Sequence, residues 1–264
     1  MATPLSHGNS RVKEARKLSR RSVRTERRLF LADGPKAVAG ALGVRDCVVE
    51  VFATAAALEQ YADLLAGVDE VTLVDPRAMD SLSDSVTPAG VVAVCRFLDV
   101  PLDSVLAAGP RLVSVCADVR DPGNAGTVIR TSDAAGADAV VLSGHSVDPY
   151  NPKTVRATVG SLFHLPLVIS EDSEAVVAAL RTAGLRVLAT DGAAERDLHD
   201  PALEADLGGP TAWLFGNEAH GLPEALATLA DDRVSIPIHG RAESLNLATA
   251  AALCLYASAR VQRS

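Results

Sequence analysis

Aromatic residues are scarce in this chain: five Phe, three Tyr and one Trp among 264 residues. Its core must therefore be packed from small aliphatics, and hydrophobic residues make up 48% of the sequence. Cysteine is as sparse. Cys47, Cys95, Cys116 and Cys254 are widely scattered with no CxxC pair, so neither a disulfide framework nor a zinc ribbon is supported, and no metal is expected. No apolar run approaches the ~18 residues of a membrane span. The first 30 residues are rich in Arg but lack the apolar stretch of a secretory signal. Several chemical motifs are missing too. There is no P-loop, no HExxH, and no GxGxxG after a strand, since Gly123-Asn-Ala-Gly126 is too short. Gly144-His-Ser-Val-Asp148 lacks the final Gly of a nucleophile elbow. Asp148-Pro149-Tyr150 lacks the second Pro of a DPPY motif and reads as a turn. What is left is a cytoplasmic enzyme or binding protein with no membrane partner.

Charge is uneven. Net charge is −8, yet residues 1–36 hold ten Lys or Arg and three acids, a local +7 that leaves −15 for the rest. A basic arm on an acidic body suits a polyanion met by one face, although a solvated terminus reads the same way. Arg outnumbers Lys there and favours bidentate phosphate contacts, which makes Arg16, Arg20, Arg21, Arg24 and Arg27 the candidate nucleic-acid contacts. No aromatic is interleaved with them, so stacking on bases is not expected of this arm.

Strands and helices alternate along the chain in two units joined near residues 99–110. Short β-branched runs at Leu29–Ala32, Cys47–Phe52, Glu70–Val74 and Val91–Cys95 read as strands of the first. The second offers Leu112–Cys116, Asp138–Leu142, Leu165–Ile169, Leu185–Ala189, Thr211–Phe215 and Arg233–Ile236. Such alternation predicts a parallel sheet covered on both faces, with ligands beyond the carboxyl ends of its strands. The last helix, predicted over Leu245–Arg260, is apolar nearly all round. It is therefore buried on both sides, either internally or by a second subunit.

Three loops carry polar residues of chemical interest. In Asp118–Arg130 a strand ends, Pro122-Gly123 turns, and a helix is predicted to begin at Asn124 as its cap. Arg130 lies one helical turn beyond Gly126 and leans back across it toward Asn124, a pairing suited to a phosphate or a developing oxyanion. The same residues also read as a capped helix with an exposed Arg. In Leu214–Pro223, Gly216 permits close approach of a ligand, and Glu218 between two glycines is ill placed for packing. An ordinary turn is the other reading. In Ile236–Leu247, Ser244 is predicted to cap the last helix, and Asn246 within it demands a hydrogen-bond partner.

Taken in order, Asn124-x5-Arg130, Gly216-x-Glu218-x2-Gly221 and Ile236-Pro-x2-Gly-x3-Ser244-Leu-Asn246 resemble the three motifs of the SpoU (TrmH-like) family of RNA ribose 2′-O-methyltransferases, of the SPOUT class. Asp148-Pro-Tyr-Asn-Pro152 and Arg156-Ala-Thr-x-Gly160 resemble a segment between the first two motifs, with Thr158 where Ser is usual. Arg28–Gly34 and Gly90–Val94 resemble the family's ribosomal-protein-L30-like substrate-binding domain, with Asp33 where Glu is common. That favours the rRNA-directed, thiostrepton-resistance-like branch.

The resemblance implies an α/β fold of two domains. Residues 1–105 would form the L30-like domain with its basic arm, and 106–264 a SPOUT catalytic domain with a parallel sheet tied into a trefoil knot, which general topology rules would not predict. It implies S-adenosylmethionine as methyl donor, held by Gly216, Ile236 and Leu245 with Thr190 and Gly192 nearby, and a homodimer acting on RNA. It assigns catalysis to Asn124, Arg130, Glu218, Ser244 and Asn246. Arg130 would stabilise the alkoxide and Asn124 the ribose, Glu218 would orient Arg130 or its loop, and Ser244 and Asn246 would fix the third loop. The expected reaction is methyl transfer to 23S rRNA. Alternatives are a tRNA substrate, a non-catalytic RNA-binding protein on the same scaffold, or, from the α/β alternation alone, a nicotinamide-dependent oxidoreductase, for which the Gly fingerprint is missing.

Overall fold

The structure is a computed structural model that describes residues 3–194 and 196–263. It separates into two compact units: the chain up to Leu98 together with Asp148–His164, and Asp99–Val147 together with the chain from Leu165 on.

The first unit is built on strands β1 (Leu29–Asp33), β2 (Val48–Ala53), β3 (Val71–Leu73) and β4 (Val91–Arg96), in the order β1-β4-β2-β3. Its sheet is mixed, not parallel: β4 runs antiparallel to both β1 and β2, and only β2 and β3 are parallel. The basic N-terminal residues are not a loose arm. They fold into helices Ser10–Arg16 and Arg21–Arg27 around a short 3-10 turn. Val12, Ala15 and Leu18 recur every three residues, and this stripe packs into the core with Leu31, Phe52, Met79 and Val92. Four of the nine aromatic residues gather in this unit. Tyr150 stacks on Phe97 with ring centroids 3.8 Å apart, while Phe30 meets Tyr150 and Phe163. Two of the four come from the Asp148–His164 segment, which explains why that piece packs here. Asp148-Pro149-Tyr150 is a turn, its Asp148 carboxylate accepting from the Tyr150 N–H at 2.9 Å.

The second unit is an all-parallel sheet of seven strands: β5 (Leu112–Ala117), β6 (Ala139–Ser143), β7 (Leu167–Ser170), β8 (Arg186–Thr190), β9 (Arg196–Asp197), β10 (Thr211–Phe215) and β11 (Asp232–Ser235). The order is β7-β6-β5-β10-β8-β11-β9. Val, Leu and Ala from β5, β6, β8 and β10 fill one core, joined by Val176, Val177 and Leu180 of the Ser173–Thr182 helix. The terminal helix runs from Leu247 to Gln262 and packs on the Pro122–Ala135 helix and on β10. Trp213 of β10 donates its indole N–H to Ser258 Oγ at 2.8 Å, which satisfies both groups where no water reaches. One face of this helix is buried through Ala248, Ala251, Cys254 and Leu255; Leu253 and Tyr256 are exposed. Among the described residues no helix is long and apolar enough to cross a membrane.

Candidate functional site

Three parallel strands, β8, β10 and β11, end side by side, and the loops leaving their carboxyl ends enclose a cavity of about 480 Å³. Thr190 and Gly192 line it after β8, Gly216 after β10, and Ile236 and Leu245 after β11. All five expected donor-binding residues thus face one space. Gly216 is required by the chain itself: a Cβ there would run into the backbone of Gly221 and Leu222. The loop closes on reciprocal backbone bonds between Asn217 and Gly221, 2.9 and 2.8 Å, with Gly221 at φ +67°. The protein's own backbone thus closes in on Gly216 from one side, while the residue also lines the cavity. Thr190 donates its hydroxyl to the Leu214 carbonyl and ties β8 to β10 at the rim.

The polarity of the lining is one-sided. Asp191, Glu218 and Glu243 contribute carboxylates, and among the described residues no Lys, Arg or His lines the cavity. Apolar walls from Ile236, Pro237, Ile238 and Leu245 complete it. Such a site attracts a ligand with positive charge and an apolar body, and repels the phosphates of a dinucleotide.

Beside the cavity, the polar residues of the three loops bond to one another. The Pro122–Ala135 helix is capped by Asp121, which accepts from the Asn124 N–H at 2.8 Å, and Pro122 takes the first helical position. Asn124 therefore lies inside the first turn and is not the cap. Its side-chain amide donates to Glu218 Oε1 at 3.1 Å, and its Oδ1 accepts from Asn246 Nδ2 at 3.0 Å. Glu218 also accepts from the N–H groups of Arg120 and Asp121. Loss of water around the carboxylate is the largest influence on Glu218 and opposes its charge. Bonds from its own N–H, Asn124, Arg120 and Asp121 together outweigh it and hold the carboxyl below its usual range.

Asn246, not Ser244, caps the terminal helix, accepting from the Ala248 and Thr249 N–H groups. Two acceptor bonds at the first free amides favour this position two residues beyond the expected one. Ser244 lines the cavity and is exposed. Arg130 stands apart from this network. It is exposed on the outer face of its helix, and among the described residues its side chain makes no hydrogen bond or ion pair. Asn124, Glu218 and Asn246 are thus brought together, with Ser244 at the cavity and Arg130 free.

The basic residues of the first unit divide. Arg24 is a correction to the expected RNA contacts: it is 2% exposed, bonds Asp148 through Nε and Nη2, and donates to the Leu18 and Ser19 carbonyls. A cation so buried and so fully bonded holds the fold and cannot meet a phosphate. Arg27 pairs with Glu14 at the surface. Arg16, Arg20 and Arg21 are exposed, with no side-chain hydrogen bond or ion pair among the described residues.

Sequence reasoning missed Asp121, although Asp followed by Pro is itself a helix-start signal. It also missed Asn217, whose amide donates to the Asp118 carbonyl at 2.8 Å and joins the first two loops. No pattern of residue types shows that contact, because it spans most of the unit's sequence. Asp191 and Glu243 were missed for the same reason. Among the described residues no group of three or more His, Cys, Asp or Glu could hold a metal.

Comparison with known proteins places these features in context. Residues 111–256 match the SpoU rRNA methylase family, and residues 9–93 match the MRM3-like substrate-binding domain. The chain is 35% identical over 251 residues to the Bacillus subtilis 23S rRNA guanosine 2′-O-methyltransferase RlmP, covering 94% of this chain and 95% of that protein. It is similar to the crystal structure of an AdoMet-bound rRNA methyltransferase from Sinorhizobium meliloti, at TM-score 0.82 and 35% identity over 96% of this chain and 95% of the other. A second likeness is to the SpoU methyltransferase AviRb of Streptomyces viridochromogenes in complex with AdoMet. There the TM-score is 0.85, with 33% identity over 97% of this chain and 99% of the other.

Proposed function

The chain belongs to the SpoU rRNA methylase family, and from that premise we propose that it methylates a ribose 2′-hydroxyl of 23S rRNA with S-adenosylmethionine as donor. The observation that carries this reading is the cavity at the strand ends, lined by three carboxylates and apolar residues and, among the described residues, by no cationic side chain. Those residues suit S-adenosylmethionine, which when bound supplies a methyl group on a positively charged sulfur. Thr190, Gly192, Gly216, Ile236 and Leu245 hold it, chiefly through backbone and apolar contacts, while the carboxylates complement its charge. RlmP and AviRb, named for or solved with these substrates, support the same reading.

The ribose oxygen takes the methyl group while its proton passes to bulk water, and breaking of the S–CH₃ bond leaves a neutral thioether, so orientation and charge stabilisation are what the protein has to provide. Glu218 is a poor base, because its carboxylate is already engaged by three donors and held in its charged form. Arg130 is exposed and uncommitted. A guanidinium keeps its proton in proteins, so Arg130 binds the phosphate beside the target ribose and stabilises the developing alkoxide. Asn124, Glu218 and Asn246 hold the first and third loops against the second, and Ser244 fixes the third loop at the cavity. Arg16, Arg20, Arg21 and Arg27 meet RNA phosphates from the first unit.

The apolar face left on the terminal helix, with Leu253 44% and Tyr256 53% exposed, is covered by a second copy of the chain. Four free cysteines fit the reducing cytoplasm. Titration calorimetry with S-adenosylmethionine, followed by transfer of labelled methyl to 23S rRNA or tRNA and mapping of the modified ribose, tests the whole reading. Heat on binding and a single labelled ribose in the rRNA are expected. The reading collapses if neither heat nor label appears, and label in tRNA alone moves the substrate.

A further inference from the structure

Methyl transfer leaves a second cavity unexplained. It lies wholly in the first unit, has a volume of about 240 Å³, and is lined by Asp33, Gly34, Lys36, Thr87, Arg156 and Val159 among others. That is below the roughly 300–1,000 Å³ of sites for drug-sized ligands, so it suits one small group.

Its floor is acidic and built. Asp33 closes β1 and is only 9% exposed. Ser83 donates to Asp33 Oδ2 at 2.5 Å, and the same hydroxyl accepts from the Ser85 N–H at 3.0 Å, which folds the loop after the Pro76–Leu82 helix onto the carboxylate. Among the described residues the Asp33 carboxylate has no other hydrogen-bond or ion-pair partner. A carboxylate offers about four acceptor sites, and a buried one left with a single donor is costly unless a ligand supplies more.

The wall beside it is kept open. Gly34 adopts φ +90°, ψ 163°, a conformation reserved for glycine, and a Cβ there would meet nothing within 4 Å. Pro35, Ala89 and Val159 add apolar surface. Val159, a β-branched residue in the left-handed region at φ +53°, is 42% exposed. The rim is cationic: Lys36 is exposed without a side-chain partner among the described residues, and Arg156 holds only a long contact of 3.5 Å to Asp84.

A small cavity lined by apolar groups, an under-bonded acceptor and two cations matches a single unstacked base flanked by phosphates. RNA is read sequence-specifically through such splayed bases and their Watson–Crick edges. Among the four bases, guanine alone presents two adjacent N–H donors on that edge, and the others set an acceptor beside a donor. We propose that this cavity takes one unstacked guanine of the RNA substrate, with Asp33 accepting from its N1–H and N2–H groups and Lys36 and Arg156 meeting the neighbouring phosphates. The inference rests on RNA being the substrate and makes Asp33, a residue of the first unit, specificity-determining.

The test is fluorescence anisotropy on the full chain with labelled uridine decamers that carry one central guanosine, inosine or adenosine. Inosine lacks the N2 amino group, so guanosine should bind about tenfold more tightly than inosine, the worth of one hydrogen bond to a charged group. Asp33→Asn should erase that preference. Thr87→Trp, which fills the cavity from its exposed side, should erase it as well and guards against misfolding of the first variant. Lys36→Ala should weaken all three decamers alike. Equal binding of guanosine and inosine by the wild type, or a preference that survives both Asp33→Asn and Thr87→Trp, overturns the inference even where rRNA is still methylated. A guanosine preference lost in those variants upholds it even where no RNA accepts a methyl group, an outcome that would instead remove the proposed activity.

Discussion

Around the 480 Å³ cavity the chain presents backbone, small side chains and carboxylates, whereas residues 10–27 present a row of long cationic side chains. The two regions also spend their polar groups differently. At the cavity, Asn124, Glu218 and Asn246 bond to each other and to loop amides, so the polar residues are fixed and what they fix is the shape of the cavity. In the basic segment the outcome differs from one turn of helix to the next. Arg24 is buried in a pair with Asp148, Arg27 and Lys17 share Glu14, and Arg16, Arg20 and Arg21 reach water. The shape of the cavity is therefore set by the motif residues that bond to one another, with Arg130 outside that network. The basic segment can meet a polyanion only through the charges that the fold leaves at the surface.

Arg24→Ala probes that difference most strongly. Breaking a buried ion pair leaves Asp148 uncompensated and costs about 3–5 kcal/mol, so the urea midpoint should fall sharply. Replacing Asp148 as well should cost less than the two single changes added together. A variant of unchanged stability but flatter salt dependence of RNA binding would return Arg24 to the phosphate contacts. Next in size is Arg130→Ala, the opposite case of a cation with no internal bonds. Removing a group that stabilises developing charge costs roughly 10²–10³ in turnover. Single-turnover methyl transfer should fall by that factor, while S-adenosylmethionine binding and thermal stability stay near wild type. Turnover close to normal would refute the role.

Much of this contrast is legible in the amino-acid sequence. All strands but the two-residue β9 were visible because apolar, β-branched runs mark them, and Gly216, Ile236 and Leu245 were visible because their loops resemble family motifs. The mixed sheet of the first unit was not, since the direction of β4 is set by pairing between strands distant in sequence. Nor was the packing of Asp148–His164 with the first unit, which depends on Tyr150 and Phe163 finding Phe30 and Phe97. Charge counting marked Arg24 and Arg20 equally. Only tertiary contacts separate them, because one faces the Asp148 carboxylate and the other faces solvent.

A smaller effect is expected where that separation leaves charges exposed. If Arg20 and Arg21 each meet one phosphate, replacing both with Ala should lower the slope of log K against log salt by about 1.4 for single-stranded RNA. Binding titrations between 50 and 200 mM salt read this directly. The change should be uniform across RNA sequences, and an unchanged slope would exclude the segment from the interface.

The smallest expected effect lies in the cavity region and depends on pH. Glu218 is held below its usual range in the folded protein. A carboxylate so shifted contributes its full stabilisation above the unfolded value of about 4.3 and loses it as pH falls through the lowered folded value. The bonds to Arg120, Asp121 and Asn124 should therefore persist from pH 8 to 5 and yield only in more acid solution. Because Glu218 is exposed, the gain is modest. Glu218→Gln keeps an acceptor but loses the charge, so S-adenosylmethionine affinity should weaken about threefold at neutral pH. It should also lose the wild type's decline below pH ~4.3. Calorimetric titration of both proteins across that range reads the result. A wild-type affinity that already falls between pH 8 and 6 would show the carboxylate taking up a proton there, and Glu218 would then become the base that its three donors now argue against.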